Sequence, residues 1–195
     1  MKIYAVYLFR KSISQESNEA SEMVDSAKDF SDVGFFYKKS VNEICDFTVK
    51  QLANSLNPIK QVTTEKNEFL FHVLRKDDVC SILIATKDYP SRAAYAILRE
   101  IQNEYFIYNG SYPGGKSKSI AKAITVYQNP LHVDRLAQIQ KNLDDTREIM
   151  ILNMEKAIGR EKSLEELCEK SQEISNQSKI FVRQSKDLNR CCSRV

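Results

Sequence analysis

Counted outward from Arg160 in steps of three and four, the last third of the chain places an apolar or small residue at nearly every stop. Upstream the stops are Ala157, Asn153, Met150, Thr146, Leu143, Ile139 and Leu136; downstream they are Leu164, Leu167, Ser171, Ile174, Ser178, Phe181, Ser185 and Leu188. This is the heptad seam by which helices keep one stripe against their partners. A continuous helix of this length would reach roughly 80 Å, too long to lie against one small domain, so its apolar stripe calls for other long helices. An ordinary homodimeric coiled coil with one polar defect would satisfy the periodicity. The single long cation near the middle argues for something else. A guanidinium offers five donors and no acceptor, so self-pairing in register would set like charges together, whereas carboxamides such as Gln on unlike helices would satisfy it.

The remaining composition narrows the partners. The chain has 195 residues and a net charge of +3, enough for one compact domain plus an extended element and too little charge to make nucleic acid the main partner. Its five cysteines, with no recognisable signal peptide, suggest a reducing compartment. Cys45, Cys80 and Cys168 have no second Cys or His at metal-ligand spacing and read as packing residues, so neither metal nor cofactor is expected. No apolar run is long enough to span a bilayer; the longest, around Ser81 to Ala85, reads as a buried strand.

The first two thirds read as an α+β domain. Lys2 to Phe9, Phe69 to Leu74 and Val79 to Thr86 are strands, the last two joined by a turn at Lys76-Asp77-Asp78. Ser40-Val41-Asn42-Glu43 has the form of a capping box opening a helix through Ile44, Phe47, Thr48, Gln51 and Leu52. Pro90 opens a second helix to about Tyr108, and a third is expected from about Ser117 to Tyr127, stopped by Asn129-Pro130. Gly110-x-x-x-x-Gly115-Lys116-Ser117 matches the phosphate-cradling Walker A pattern. That loop needs a buried strand before it, yet Glu104 to Tyr108 continues a helical pattern, so a flexible link between helices is the favoured reading.

Val133 to Leu188, with Asp144-Asp145-Thr146, Glu155-Lys156-Ala157-Ile158-Gly159-Arg160 and Phe181, resembles the R-SNARE motif of the synaptobrevin class. The resemblance implies a parallel bundle with Qa-, Qb- and Qc-SNARE helices, Arg160 as its zero-layer residue, and core layers at Leu136, Ile139, Leu143, Met150, Ala157, Leu164, Leu167, Ile174, Phe181 and Leu188. The N-terminal MKIYAVYLFR, Val33-Gly34-Phe35-Phe36-Tyr37 and Ala85-Thr86-Lys87-Asp88-Tyr89-Pro90-Ser91-Arg92 resemble a longin domain. That family implies a profilin-like fold, a five-stranded antiparallel sheet between helices, and a strand within the polar stretch Glu16 to Ser31. The implied organisation is a regulatory longin domain over 1–130, an R-SNARE motif over 131–190 and a lipidation tail over 191–195.

Adjacent Cys191 and Cys192, the latter four residues from the end, are similar to the tail of the YKT type of longin R-SNARE. By that resemblance Cys192 would carry a prenyl and Cys191 a palmitoyl group, two lipids holding where one is marginal. Ser193-Arg194-Val195 departs from the usual pattern, while Lys179, Arg183, Lys186, Arg190 and Arg194 would support a single lipid on an anionic leaflet. The resemblance further implies a longin domain that folds back on its own SNARE motif and shields lipid in a groove containing Ile44 and Phe47. Residence would be in the cytoplasm and on the cytosolic face of Golgi, ER-Golgi, endosomal or vacuolar membranes. The expected function is mechanical: zippering with Q-SNAREs to fuse vesicles, with no catalytic residue. The alternative is a soluble regulator that competes for Q-SNAREs without an anchor. Phosphate on Ser171, Ser178 or Ser185 would put charge into the seam and block assembly.

Overall fold

A computed structural model of the chain describes residues 1–11, 21–55, 59–129, 131–133, 149–159 and 163–192, with side chains described to 185 in the last stretch. Leu136, Ile139, Leu143 and Arg160 lie outside the described residues, as do the side chains of Leu188, Cys191 and Cys192.

The sheet begins with β1 (Ile3–Lys11) and β2 (Ser21–Lys28), followed by α1 (Phe35–Ala53). Three strands follow, β3 (Gln61–Lys66), β4 (Phe69–Lys76) and β5 (Val79–Thr86), and then α2 (Ser91–Tyr108) and α3 (Lys118–Thr125). The heptad segment contributes β6 (Met150–Leu152) and helices α4 (Met154–Ile158), α5 (Leu164–Lys170) and α6 (Asn176–Cys192). Strand order is β2-β1-β5-β4-β3-β6. The first five are antiparallel, as the longin resemblance implies, and β6 adds a sixth in parallel, pairing Val62 with Met150 and Thr64 with Leu152.

Both faces of the central strands are covered, so β1 and β5 are continuous apolar runs and not alternating ones. Tyr7, Phe9, Cys80, Ile82 and Ile84 point to the face that carries α1 and the heptad segment. Val6, Leu8, Val79, Leu83 and Ala85 point to the face that carries α2 and α3. Burial pushes the thiol of Cys45 up to about 12 and that of Cys80 to about 11, so both sit protonated in the core as packing groups.

Two local expectations need correction, and one strand, β3, falls where none was named. α1 starts at Phe35 with Gly34 as its N-cap, not at Ser40, which lies buried inside the helix. The Glu43 of the supposed capping box reaches outward to the heptad segment. β3 carried no strand reading because Gln61, Thr63, Thr64, Glu65 and Lys66 look polar. Its buried Thr63 hydroxyl is paired at 3.0 Å with both His72 Nδ1 and Tyr95 Oη, which makes an interior position tolerable for a hydroxyl. Finally, the described part of the heptad segment is one short strand and three helices, not one continuous helix.

The breaks in that segment are written in caps. Asn153 Oδ1 accepts from Lys156 N at 3.0 Å and opens α4. Gly159 closes it at φ 70°, in the left-handed region open to glycine. Ser163 Oγ accepts from Glu166 N at 3.3 Å and opens α5, and Ser175 Oγ accepts from Ser178 N at 3.3 Å at the start of α6. Each short helix thus has its own initiation signal inside the seam.

Candidate functional site

The site is the outer face of α1 together with the heptad residues seated on it. Ala157, Leu164 and Ile174 are buried against the sheet and α1, and Leu167 and Phe181 pack half-buried at the margin. They are joined by Met154, Ile158 and Cys168, which occupy no stop of the seam. Met150 sits in β6, paired through its backbone with Val62 of the longin sheet, while its side chain stays 41% exposed.

Ile44 and Phe47 fall on two sides of the contact. Ile44 lines a cleft of about 330 Å³ with Val41, Phe71, Leu164, Phe181 and Val182. Phe47 is buried beside a second cavity of about 530 Å³ whose walls include Tyr7, Phe9, Glu43 and Ile174. The structure therefore brings both residues to the heptad segment but places them at separate cavities.

At the wall of the second cavity Glu43 forms a polar clasp that sequence reasoning missed. Glu43 Oε2 accepts from the hydroxyls of Ser175 and Ser178, each at 2.7 Å, and from the Ser175 amide at 3.2 Å. Ser178 is fully buried. Burial alone would raise the Glu43 carboxyl, but the donors from Ser175 and Ser178 outweigh it and hold the pKa below the ordinary 4.5. The carboxylate also sits at the opening turn of the long α6, where negative charge opposes the helix dipole favourably. The one signal available was the S-x-x-E pattern itself, which marked Glu43 as a capping acid while misassigning the helix it caps.

Further contacts fix direction. Lys50 pairs with Glu173 at 3.0 Å, and the rings of Tyr37 and Phe181 lie 5.4 Å apart, so α6 runs antiparallel to α1. Lys66 pairs with Glu165, and Arg183 holds both carboxylate oxygens of Glu169, tying α5 to α6.

The Walker-like loop lacks the geometry of a phosphate cradle. The helix α2 precedes it where a strand is required. The amides at the start of α3 are already occupied: Glu104 accepts from Lys118 N and Ser119 N at 2.9 Å and from the Ser117 hydroxyl at 2.6 Å, and Asp25 accepts from Ser117 N at 2.8 Å. A phosphate there would have to displace two carboxylates.

The two halves of this arrangement match two family models: the longin, or regulated-SNARE-like, domain over residues 30–127 and synaptobrevin over residues 135–193. Across the whole length, the chain is 31% identical to the synaptobrevin homolog YKT6 of Candida glabrata, with 98% of each chain covered. The chain belongs to the YKT6 family of longin-domain synaptobrevins. The fission yeast Schizosaccharomyces pombe has a synaptobrevin homolog ykt6 that is 30% identical over 98% of each chain, and the VAMP-like protein YKT61 of Arabidopsis thaliana is 29% identical over 90% of this chain. YKT6-type proteins are SNAREs of vesicle traffic and not enzymes, and interaction with other SNAREs comes with the family. Among the described residues no helix is long and apolar enough to cross a membrane. The contact between the longin domain and the heptad segment is intramolecular, and it is the folded arrangement described above.

Proposed function

We propose that this chain is an R-SNARE that alternates between the arrangement seen here, with its seam folded on α1, and a four-helix bundle with Qa-, Qb- and Qc-SNARE helices in which Arg160 occupies the zero layer. The observation that carries the reading is the double use of one stripe. Ala157, Leu164 and Ile174 are stops of the heptad seam and are also buried against the longin domain. One side chain cannot be buried in two cores at once, so closure and bundle formation exclude each other. In the bundle the remaining layers, Leu136, Ile139, Leu143, Met150, Leu167, Phe181 and Leu188, join the same stripe. Assembly toward an anchored end draws two bilayers together, and the chemistry asks for no catalytic group. Lipid on Cys191 and Cys192 supplies the coupling to the membrane, on Golgi, ER-Golgi, endosomal or vacuolar surfaces.

Mixing the full chain with three Q-SNARE helices and following the gain of helix by circular dichroism tests this. Assembly accompanied by loss of the longin contact supports the reading; persistence of that contact in the assembled complex sinks it. Arg160→Leu should still assemble but accept a wider set of partner helices, since a buried charge specifies register more than it stabilises. The mass of the C-terminal peptide from native cells, with Cys192→Ser as control, tests the anchor. Two bare thiols would favour the soluble competitor.

A further inference from the structure

The first turn of α1 is apolar and faces solvent. Phe35 is 88% exposed, Phe36 81% and Tyr37 54%. The two Phe rings lie 5.8 Å apart, edge to face, so they pack on each other and not on the domain. Single exposed apolar residues are ordinary, but three adjacent aromatics on one helix tip make a patch that calls for an occupant.

Charge around the patch selects that occupant. Lys38 and Lys39 follow directly and are exposed, Lys39 reaching Glu43 only at 4.0 Å, while Glu43 is engaged by the serines of the clasp. The acids of the loop leading into α1 are partly compensated within the domain, because Asp29 and Asp32 share Lys2 at 3.4 Å and 2.5 Å. The helix tip itself, Phe35 to Lys39, presents aromatic and cationic groups outward, the combination that settles into the headgroup region of an anionic bilayer. Direction adds a second argument. α6 runs antiparallel to α1 with Phe181 beside Tyr37, and it stays helical to Cys192. From Phe181 onward it rises about 16 Å, against about 3 Å left in α1 beyond Tyr37, so the cysteine-bearing end of α6 extends past the aromatic tip on the same side of the molecule.

We infer that Phe35 and Phe36, with Lys38 and Lys39, form a membrane-insertion patch by which the longin domain contacts anionic lipid independently of any lipid carried on Cys191 or Cys192. The patch is available while the seam is closed on α1, so the closed protein can rest on a membrane before bundle assembly begins. The inference leans on the anchor reading only for the shared side; the aromatic and cationic contact stands without it.

The test uses the full chain made in bacteria, with unmodified cysteines, in co-sedimentation with phosphatidylcholine vesicles that contain or lack phosphatidylserine. Wild type should bind the phosphatidylserine vesicles and bind phosphatidylcholine alone weakly. Phe35→Ser/Phe36→Ser should lose at least about tenfold in affinity, and Lys38→Ala/Lys39→Ala about thirtyfold. All four side chains are exposed, and normal assembly with Q-SNARE helices would verify that the variants fold. No binding by wild type, or equal binding by the Phe variant, overturns the inference. So does a Phe variant that keeps vesicle binding but fails to assemble with Q-SNARE helices, because the patch would then be a protein contact. None of these failures would touch the R-SNARE reading, which is judged by bundle assembly.

Discussion

Glu43 concentrates three hydrogen bonds on one carboxylate oxygen, and charge-assisted bonds of this kind are stronger than neutral ones. Its folded pKa is depressed, so the stability it contributes is fully present above pH 4.5 and is lost as pH falls through the lower folded value. Acid should therefore loosen the heptad segment, seen as earlier proteolysis of residues 164–185, and Glu43→Gln should remove that pH dependence. Ser178→Glu should open the segment even at neutral pH. It would set a second carboxylate against Glu43 at a fully buried position, and the same charge in the seam should also block the bundle. Normal protection of the segment in Ser178→Glu would contradict the clasp. His72 behaves differently. Burial lowers its pKa from 6.5 to about 4, so it is held neutral in the core. Its contribution is present above pH 6.5 and is lost as pH falls toward 4, a change on the order of 3 kcal/mol. Urea midpoints across that window should drop for wild type and flatten for His72→Gln; identical slopes would argue against a buried neutral imidazole.

At the scale of elements, Gly159 is the residue on which the two proposed states should differ most. It ends α4 at φ 70°, and a Cβ there would meet Ser55 Oγ at 3.3 Å. In a continuous seam helix the same residue would sit next to the zero layer, where glycine costs about 1 kcal/mol relative to alanine. Gly159→Ala should therefore destabilise the closed arrangement and favour the bundle together, giving faster assembly with Q-SNARE helices; slower assembly would contradict the two-state account. This element also shows where the sequence could be read and where it could not. The central strands β1, β4 and β5 and the bodies of α2 and α3 were legible because periodicity and apolar runs report burial directly. β2 and β3 were not, since an edge strand and a strand lined with buried threonines carry polar residues that only their partners explain. The fragmentation of the seam was hidden for another reason. Asn153, Gly159, Ser163 and Ser175 do not forbid a long helix where partner helices supply the packing, and here, packed on the longin domain, they act as caps and stops. Ile44 and Phe47, named as candidates for a lipid-shielding groove, lie at two separate cavities beside the heptad segment, whereas the Glu43 clasp depends on residues more than a hundred positions apart and left no local trace.

For the whole molecule, the account is a competition for one apolar stripe. The longin sheet would expose the edge of β3 and the cavities beside Ile44 and Phe47 if the segment left, and the segment would expose its seam. In the proposed account neither half is satisfied alone, which would make closure within the chain and zippering with other chains alternatives and not additions. The membrane patch at Phe35 and Phe36 lies outside this contest and is exposed while the seam is closed. The most direct measurement is the rate at which the full chain assembles with three Q-SNARE helices, wild type against Glu43→Arg. That substitution removes the acceptor for Ser175 and Ser178 without altering the residues of the seam. The account predicts that Glu43→Arg assembles at least about tenfold faster, because opening no longer breaks three bonds to a charged acceptor. Equal rates would contradict it and would mean that the longin contact does not restrain the R-SNARE segment.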